Sequence, residues 1–60
     1  MKTAKQAEQT IREMATLSKR TAAREAVRDL RYGDNADAVE AIEAVGESRA
    51  VAIWAQAVVS

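Results

Sequence analysis

Apolar side chains recur at spacings of three and four along the first quarter of the chain, the period of an α-helix that buries one face. The stripe consists of Ala4, Ala7, Ile11, Met14 and then either Leu17 or Ser18. Lys, Gln, Glu and Arg, which all propagate helices well, fill the positions between them. The pattern therefore predicts a first helix over about residues 3–17.

The second predicted helix covers residues 19–32 and carries an apolar arc beside a basic one. The apolar arc holds Ala22, Ala23, Ala26, Val27 and Leu30. Four arginines fall within about 80° of one another on the adjoining side: Arg20, Arg24, Arg28 and Arg31. No Gly or Pro separates this helix from the first, so one long helix stays open as an alternative. We favour two helices, with Ser18 as the N-cap of the second.

The third predicted helix, residues 36–45, is amphipathic and follows the best-defined boundary in the chain. We expect Gly33 to cap the second helix in the left-handed conformation, and Asp34 or Asn35 to cap the third. Its apolar face holds Ala38, Val39, Ala41, Ile42 and Val45. The opposite half is acidic and consists of Asp34, Asp37, Glu40, Glu43 and Glu47. Gly46 ends this helix.

The fourth predicted helix, residues 48–59 with Ser48 as N-cap, is apolar nearly all round. Alternating apolar residues also fit a strand, but the four alanines and the lack of a partner strand favour a helix. A helix without a polar face is central in a core or lies at an interface. So small a fold can hardly surround it, which indicates a homodimer contact through residues 50–59. Trp54 is either a core residue or the aromatic anchor of a protein interface.

These elements predict an all-α fold, a compact bundle of three to four short helices in one domain, residues 1–60. Of the 60 residues 14 are alanine, and Tyr32 and Trp54 are the only aromatic ones, so the core must be thin. With no Cys and no His, neither a disulfide nor a zinc site can reinforce it.

The same composition argues against catalysis and cofactor binding. Without His or Cys, the hydroxyls of Ser18, Ser48 and Ser60 have no evident base beside them in sequence, and no phosphate-binding glycine motif is present. The acidic cluster lacks the twelve-residue spacing of a calcium loop. We expect a protein that is not an enzyme and that binds no metal or cofactor.

The net charge of the chain is zero, but its first half is basic and its second half is acidic. Residues 1–32 hold eight basic and four acidic side chains, and residues 33–60 hold one basic and five acidic. The arginine column either pairs with the acidic residues of the next helix or contacts phosphates, and we favour pairing. Carboxylates repeating about every 5–6 Å along a helix can imitate backbone phosphates and fit the basic groove of a nucleic-acid-binding protein. A solvated acidic face is the alternative.

Residues 41–50, AIEAVGESRA, resemble the turn of a helix-turn-helix, which would imply DNA binding. Glu47 departs from that family's apolar residue, and only Arg49 and Gln56 on the following helix could contact base edges. The sequence therefore favours a hairpin without DNA contact, and a protein partner over direct binding of nucleic acid.

The whole chain is similar to small helical proteins of phages and mobile elements, including anti-CRISPR proteins. That resemblance implies a stoichiometric inhibitor or adaptor of a nucleic-acid-handling protein, with Asp37, Glu40, Glu43 and Glu47 as phosphate mimics. A small DNA-binding regulator and a structural helical subunit remain as alternatives. The longest apolar stretch, residues 50–59, is about half the length of a membrane span, so we expect a cytoplasmic protein without membrane contact.

Overall fold

The structure, a computed structural model, describes residues 2–60. These residues form four helices and no strand. They are α1 (Ala4–Ser18), α2 (Ala23–Arg31), α3 (Ala36–Val45) and α4 (Glu47–Val58). The predicted all-α bundle is confirmed, and so is the break between the first two helices. The bounds of α3 match the prediction.

The boundary between α1 and α2 lies elsewhere than predicted. α1 opens with a capping box, in which Thr3 and Gln6 each accept a hydrogen bond from the other's backbone N–H. It ends where Lys19 takes the left-handed conformation, with φ 58°, and donates its N–H to the carbonyl of Ala15. Ser18 is thus the last residue of α1, and the expectation that it caps α2 was wrong. The N-cap of α2 is Ala22, whose methyl group offers no hydrogen bond.

Gly33 also plays a different role from the predicted one. Among the described residues only Lys19 and Gly46 have positive φ, so Gly33 is not a left-handed cap. A glycine fits here because a Cβ atom would lie 2.9 Å from the carbonyl oxygen of Asp29. Asn35 is confirmed as the N-cap of α3, since its side-chain oxygen accepts the backbone N–H of Ala38 at 3.2 Å.

A single residue, Gly46, joins α3 to α4. Its backbone angles, φ 92° and ψ 149°, are ones that side-chain-bearing residues rarely adopt. Because this one residue reverses the chain, α4 begins at Glu47 and Ser48 lies inside its first turn. The helix has no side-chain cap, so the predicted Ser48 cap was wrong.

The core consists largely of alanine, which lets the helices approach closely around a few larger side chains. The larger members are Ile11, Val27, Ile42, Ile53 and Trp54, and the alanines are Ala7, Ala15, Ala26, Ala41 and Ala50. Both α1 and α2 pack against α3 and α4, whereas no Cα atom of α1 lies within 8 Å of a Cα atom of α2. A gap between α1 and α2 is left above the indole of Trp54.

Candidate functional site

Trp54 is a core residue. Its side chain is 1% exposed, and its indole N–H donates to the carbonyl of Arg20 at 2.8 Å. A surface anchor for a partner would need an exposed ring, so the structure corrects that role for Trp54. The exposed residues of α4 instead include Ala52 and Ala55, and the exposed Val59 follows the end of the helix. The homodimer contact through residues 50–59 stays a prediction.

Arg20, the first arginine of the column, pairs with two carboxylates of α2. The guanidinium of Arg20 lies 3.0 Å from the Asp29 carboxylate and 3.8 Å from that of Glu25. Both acids belong to α2 rather than to the acidic row of α3. The predicted pairing between the two helices is therefore wrong for this arginine.

Glu47 pairs with two of the remaining arginines, Arg28 and Arg31. Its carboxylate accepts a hydrogen bond from Arg31 at 2.9 Å and lies 3.8 Å from Arg28, so the first turn of α4 is tied to α2. The hydrogen bond with Arg31 lowers the pKa of Glu47 and raises the pKa of Arg31. The Arg31 guanidinium also lies 5.4 Å from the centre of the exposed Tyr32 ring. Arg24 forms no ion pair within the described part of the chain.

The acidic side chains of α3 stay at the surface. We call Asp34, Asp37, Glu40 and Glu43 the acidic face; all four are exposed. Asp37 and Glu43 form no ion pair within residues 2–60, and the sequence holds no basic residue between Arg31 and Arg49. Lys2 borders this surface at a shallow depression that Glu40 and Glu43 also line. Glu47, predicted as part of the same row, belongs instead to the contact between α2 and α4.

Glu8 makes a contact that sequence reasoning missed. Its carboxylate lies 3.3 Å from Arg12 on its own helix and 3.2 Å from Arg49 on α4. These hydrogen bonds, the one from Arg12 most strongly, lower the pKa of Glu8. Only the first pair could be expected from spacing, because Arg49 lies 41 residues further along the chain. Arg49, proposed above as a base-reading group, is engaged in this ion pair.

A groove of about 320 Å³ lies between α1 and α2. Its apolar lining comes from Met14, Leu17, Ala26, Leu30 and Trp54, and its polar edges from Ser18, Arg20 and Asn35. Either Leu17 or Ser18 was predicted to continue the apolar stripe of α1, yet both are exposed, Leu17 to 83%. Nothing in the pattern of apolar residues indicated a groove.

Neither a metal site nor a membrane-spanning helix is found among the described residues. No group of three acidic, His or Cys side chains is placed to hold a metal ion. None of the helices in residues 2–60 is long and apolar enough to cross a lipid bilayer.

Comparison with protein-family models, with curated proteins and with solved structures finds no match to this chain.

Proposed function

We propose that this chain is a non-catalytic binding module whose acidic face occupies a cationic, nucleic-acid-binding surface of a partner protein, as a stoichiometric inhibitor or adaptor. The proposal is supported by a difference between the arginine column and the acidic face in how many of their side chains form internal ion pairs. Three of the four arginines of the column are held by acids within the molecule, whereas Asp37 and Glu43 form no ion pair in residues 2–60. A charged side chain that is not paired internally can pair with a partner at little cost.

The shape of α3 also suits this role. Asp37 and Glu43 lie six residues apart, about 9 Å along the helix axis, with Glu40 between them. The helix is fixed at both ends, by the Asn35 cap and by the sharp turn at Gly46. A preordered row loses less conformational entropy on binding than a flexible acidic tail would.

A DNA-binding regulator is the second candidate, and the geometry favours it less. The guanidinium groups of Arg28, Arg31 and Arg49 already face carboxylates inside the molecule. A helix-turn-helix joins its helices by a turn of about three or four residues, whereas one residue joins α3 and α4.

The first experiment is capture of the tagged chain's partners from a host lysate, with and without nuclease, with proteins identified by mass spectrometry. The proposal predicts a stoichiometric protein that survives nuclease treatment. Recovery of nucleic acid, with every protein lost after nuclease, would instead support the DNA-binding regulator.

Single charge reversals then locate the surface on the captured partner. Glu43→Lys should weaken binding about tenfold or more, and high salt should weaken the wild-type complex, because both act on the same charge attraction. Glu13→Lys is the matched control, since it makes the same change of charge at an exposed position of α1. Equal effects of the two reversals would mean that net charge matters and the acidic face does not.

A further inference from the structure

The cleft between α2 and the start of α4 carries an excess of positive charge. It has a volume of about 200 Å³, and its lining residues are Arg24, Arg28, Glu47, Ser48 and Val51. Glu47 is the one acid among these described lining residues, and its carboxylate already accepts a hydrogen bond from Arg31 at 2.9 Å. Since Arg31 offsets the charge of Glu47, the positive charges of the two lining arginines are left over.

The two lining arginines are neighbours on α2, and neither is closely paired. Arg24 and Arg28 lie one helical turn apart, about 6 Å along the axis. Arg28 lies 3.8 Å from the Glu47 carboxylate, and Arg24 forms no ion pair within residues 2–60. Glu25, which follows Arg24 on α2, contacts Arg20 instead. Like charges one turn apart disfavour a helix, so an anion that binds both arginines relieves their repulsion.

Ser48 adds a hydroxyl group to this cleft from the other helix. It is exposed in the first turn of α4, and its side chain makes no hydrogen bond within the described part of the chain. The cleft therefore presents two guanidinium groups from α2 and one hydroxyl donor from α4. The fork of N–H groups on a guanidinium matches the oxygens of a phosphoryl group, and a hydroxyl can donate to a third oxygen.

We infer that this cleft binds a phosphate monoester, whose phosphoryl group lies between Arg24 and Arg28 and accepts a hydrogen bond from Ser48. A monoester carries a charge of about −1.5 to −2 at pH 7, which two arginines match. Each phosphodiester of a nucleic-acid backbone carries a single negative charge and matches them less well. The volume of about 200 Å³ is several times the ~30 Å³ of a water molecule in the liquid, so a phosphoryl group with a small substituent fits. The inference does not depend on the acidic face or its partner.

Titration with methyl phosphate, up to about 20 mM at constant ionic strength and followed by the amide signals in NMR spectra, tests the inference. The signals of Arg24, Arg28 and Ser48 should shift together and saturate. We expect a dissociation constant in the low millimolar range, because both arginines are exposed and screened by salt. Arg24→Gln should raise this constant about tenfold and Ser48→Ala about threefold, since a hydrogen bond from a charged group is the stronger of the two. Both side chains are exposed, so the dispersion of the amide signals should stay unchanged.

Lys5→Gln is the matched control, because it removes the same charge from an exposed position of α1 that forms no ion pair within residues 2–60. It should leave the affinity unchanged. Dimethyl phosphate, a diester with one negative charge, should bind at least about tenfold more weakly than methyl phosphate.

A peptide with one phosphoserine between glycines distinguishes the sources of the phosphoryl group. Tighter binding of the peptide than of methyl phosphate supports a phosphorylated protein as the source, and equal affinity supports a small phosphate ester. The inference is overturned if methyl phosphate gives no saturable shift, if Lys5→Gln and Arg24→Gln weaken binding equally, or if dimethyl phosphate binds as tightly as methyl phosphate.

Discussion

The indole of Trp54 connects parts of the chain that are 34 residues apart. Its ring fills the centre of a core otherwise built mostly from alanine, and its N–H holds the carbonyl of Arg20 in the connection between α1 and α2. A folded domain of this length is stabilised by about 3–9 kcal/mol, so one such side chain carries a large share of the total.

Trp54→Phe should therefore lower the free energy of unfolding by about 1–2 kcal/mol. The smaller ring leaves space in the core, and the hydrogen bond to Arg20 is lost. Urea denaturation followed by circular dichroism measures the change. Tyr32→Phe is the control, since Tyr32 is 74% exposed and its change should stay within about 0.5 kcal/mol. Equal stabilities of wild type and Trp54→Phe would contradict the role given to the indole.

Glu47 is the second residue whose effect can be isolated, because its pKa is lowered by the hydrogen bond from Arg31. A group whose pKa is lower in the folded state stabilises the fold above its ordinary pKa. That contribution disappears as the pH falls through the lowered value and the carboxylate becomes protonated. Glu8, whose pKa is lowered by Arg12 and Arg49, adds a contribution of the same sign.

Glu47→Gln should make the protein less stable at neutral pH, and the difference from wild type should shrink as the pH is lowered through the acid range. Thermal unfolding measured from about pH 7 to about pH 2.5 covers the titration of a carboxylate with a lowered pKa. Glu13→Gln, which removes an exposed carboxylate of α1 that forms no ion pair within residues 2–60, is the control and should change the stability at neutral pH by less than about 0.5 kcal/mol. A difference for Glu47→Gln that is constant with pH would mean that the ion pairs with α2 do not stabilise the fold.

At the scale of the elements, periodicity predicted the four helices and most of their ends to within one residue, but it missed the start of α2 and several capping residues. The apolar faces of α2 and α3 could be read from spacing because alanine and β-branched residues separate cleanly from charge there. The caps at Ser18 and Ser48 were wrong because a hydroxyl shows only that a cap is chemically possible. The chain turns at Lys19 and at Gly46, where the backbone has positive φ. Nothing in the local sequence pattern indicated the turn at Lys19.

The candidate site was predictable in part. The row of carboxylates on α3 follows directly from the sequence, and four of its five predicted members lie exposed together. The sequence could not show that Glu47 differs from the other four, because its pairing with arginines of α2 depends on how α2 packs beside the start of α4. For the same reason, the groove beside Leu17 exists only once α1 and α2 are held apart.

The junction between α3 and α4 gives a prediction at this scale. Gly46→Ala should destabilise the fold by about 1–3 kcal/mol, because φ 92° is strained for any L-residue. The added methyl group itself meets no atom within 4 Å, so the backbone alone is responsible. A chemically synthesised chain with D-alanine at position 46 separates the two effects, since a D-residue accepts positive φ and should stay close to wild type.

Ser48→Ala is the second comparison for this junction, because Ser48 makes no capping hydrogen bond. Its unfolding free energy should change by less than about 0.5 kcal/mol. A large loss for Ser48→Ala together with a small one for Gly46→Ala would restore Ser48 as the cap and contradict the turn described here.

At the scale of the whole molecule, the two halves of the chain depend on each other. Both α1 and α2 pack on α3 and α4, and no Cα atom of α1 lies within 8 Å of a Cα atom of α2. Ion pairs also connect the two halves of the chain. Glu8 of α1 pairs with Arg49 of α4, and Glu47 of α4 pairs with Arg31 of α2. Both α3 and α4 contact every other helix, and α4 supplies the largest core side chain, Trp54.

A chain ending at Gly46 should consequently fail to fold, although it keeps three complete helices. It loses Ala50, Ile53 and Trp54 from the core and exposes the apolar faces that they cover on α1 and α2. Isolated helices of 9 to 15 residues are marginal in water, so little helical structure should survive. Far-ultraviolet circular dichroism and the dispersion of amide proton shifts measure the loss. A chain ending at Val58, which lacks only the exposed Val59 and Ser60, is the control and should fold. A cooperative, dispersed spectrum from the shorter chain would show that α1 to α3 form a core without α4.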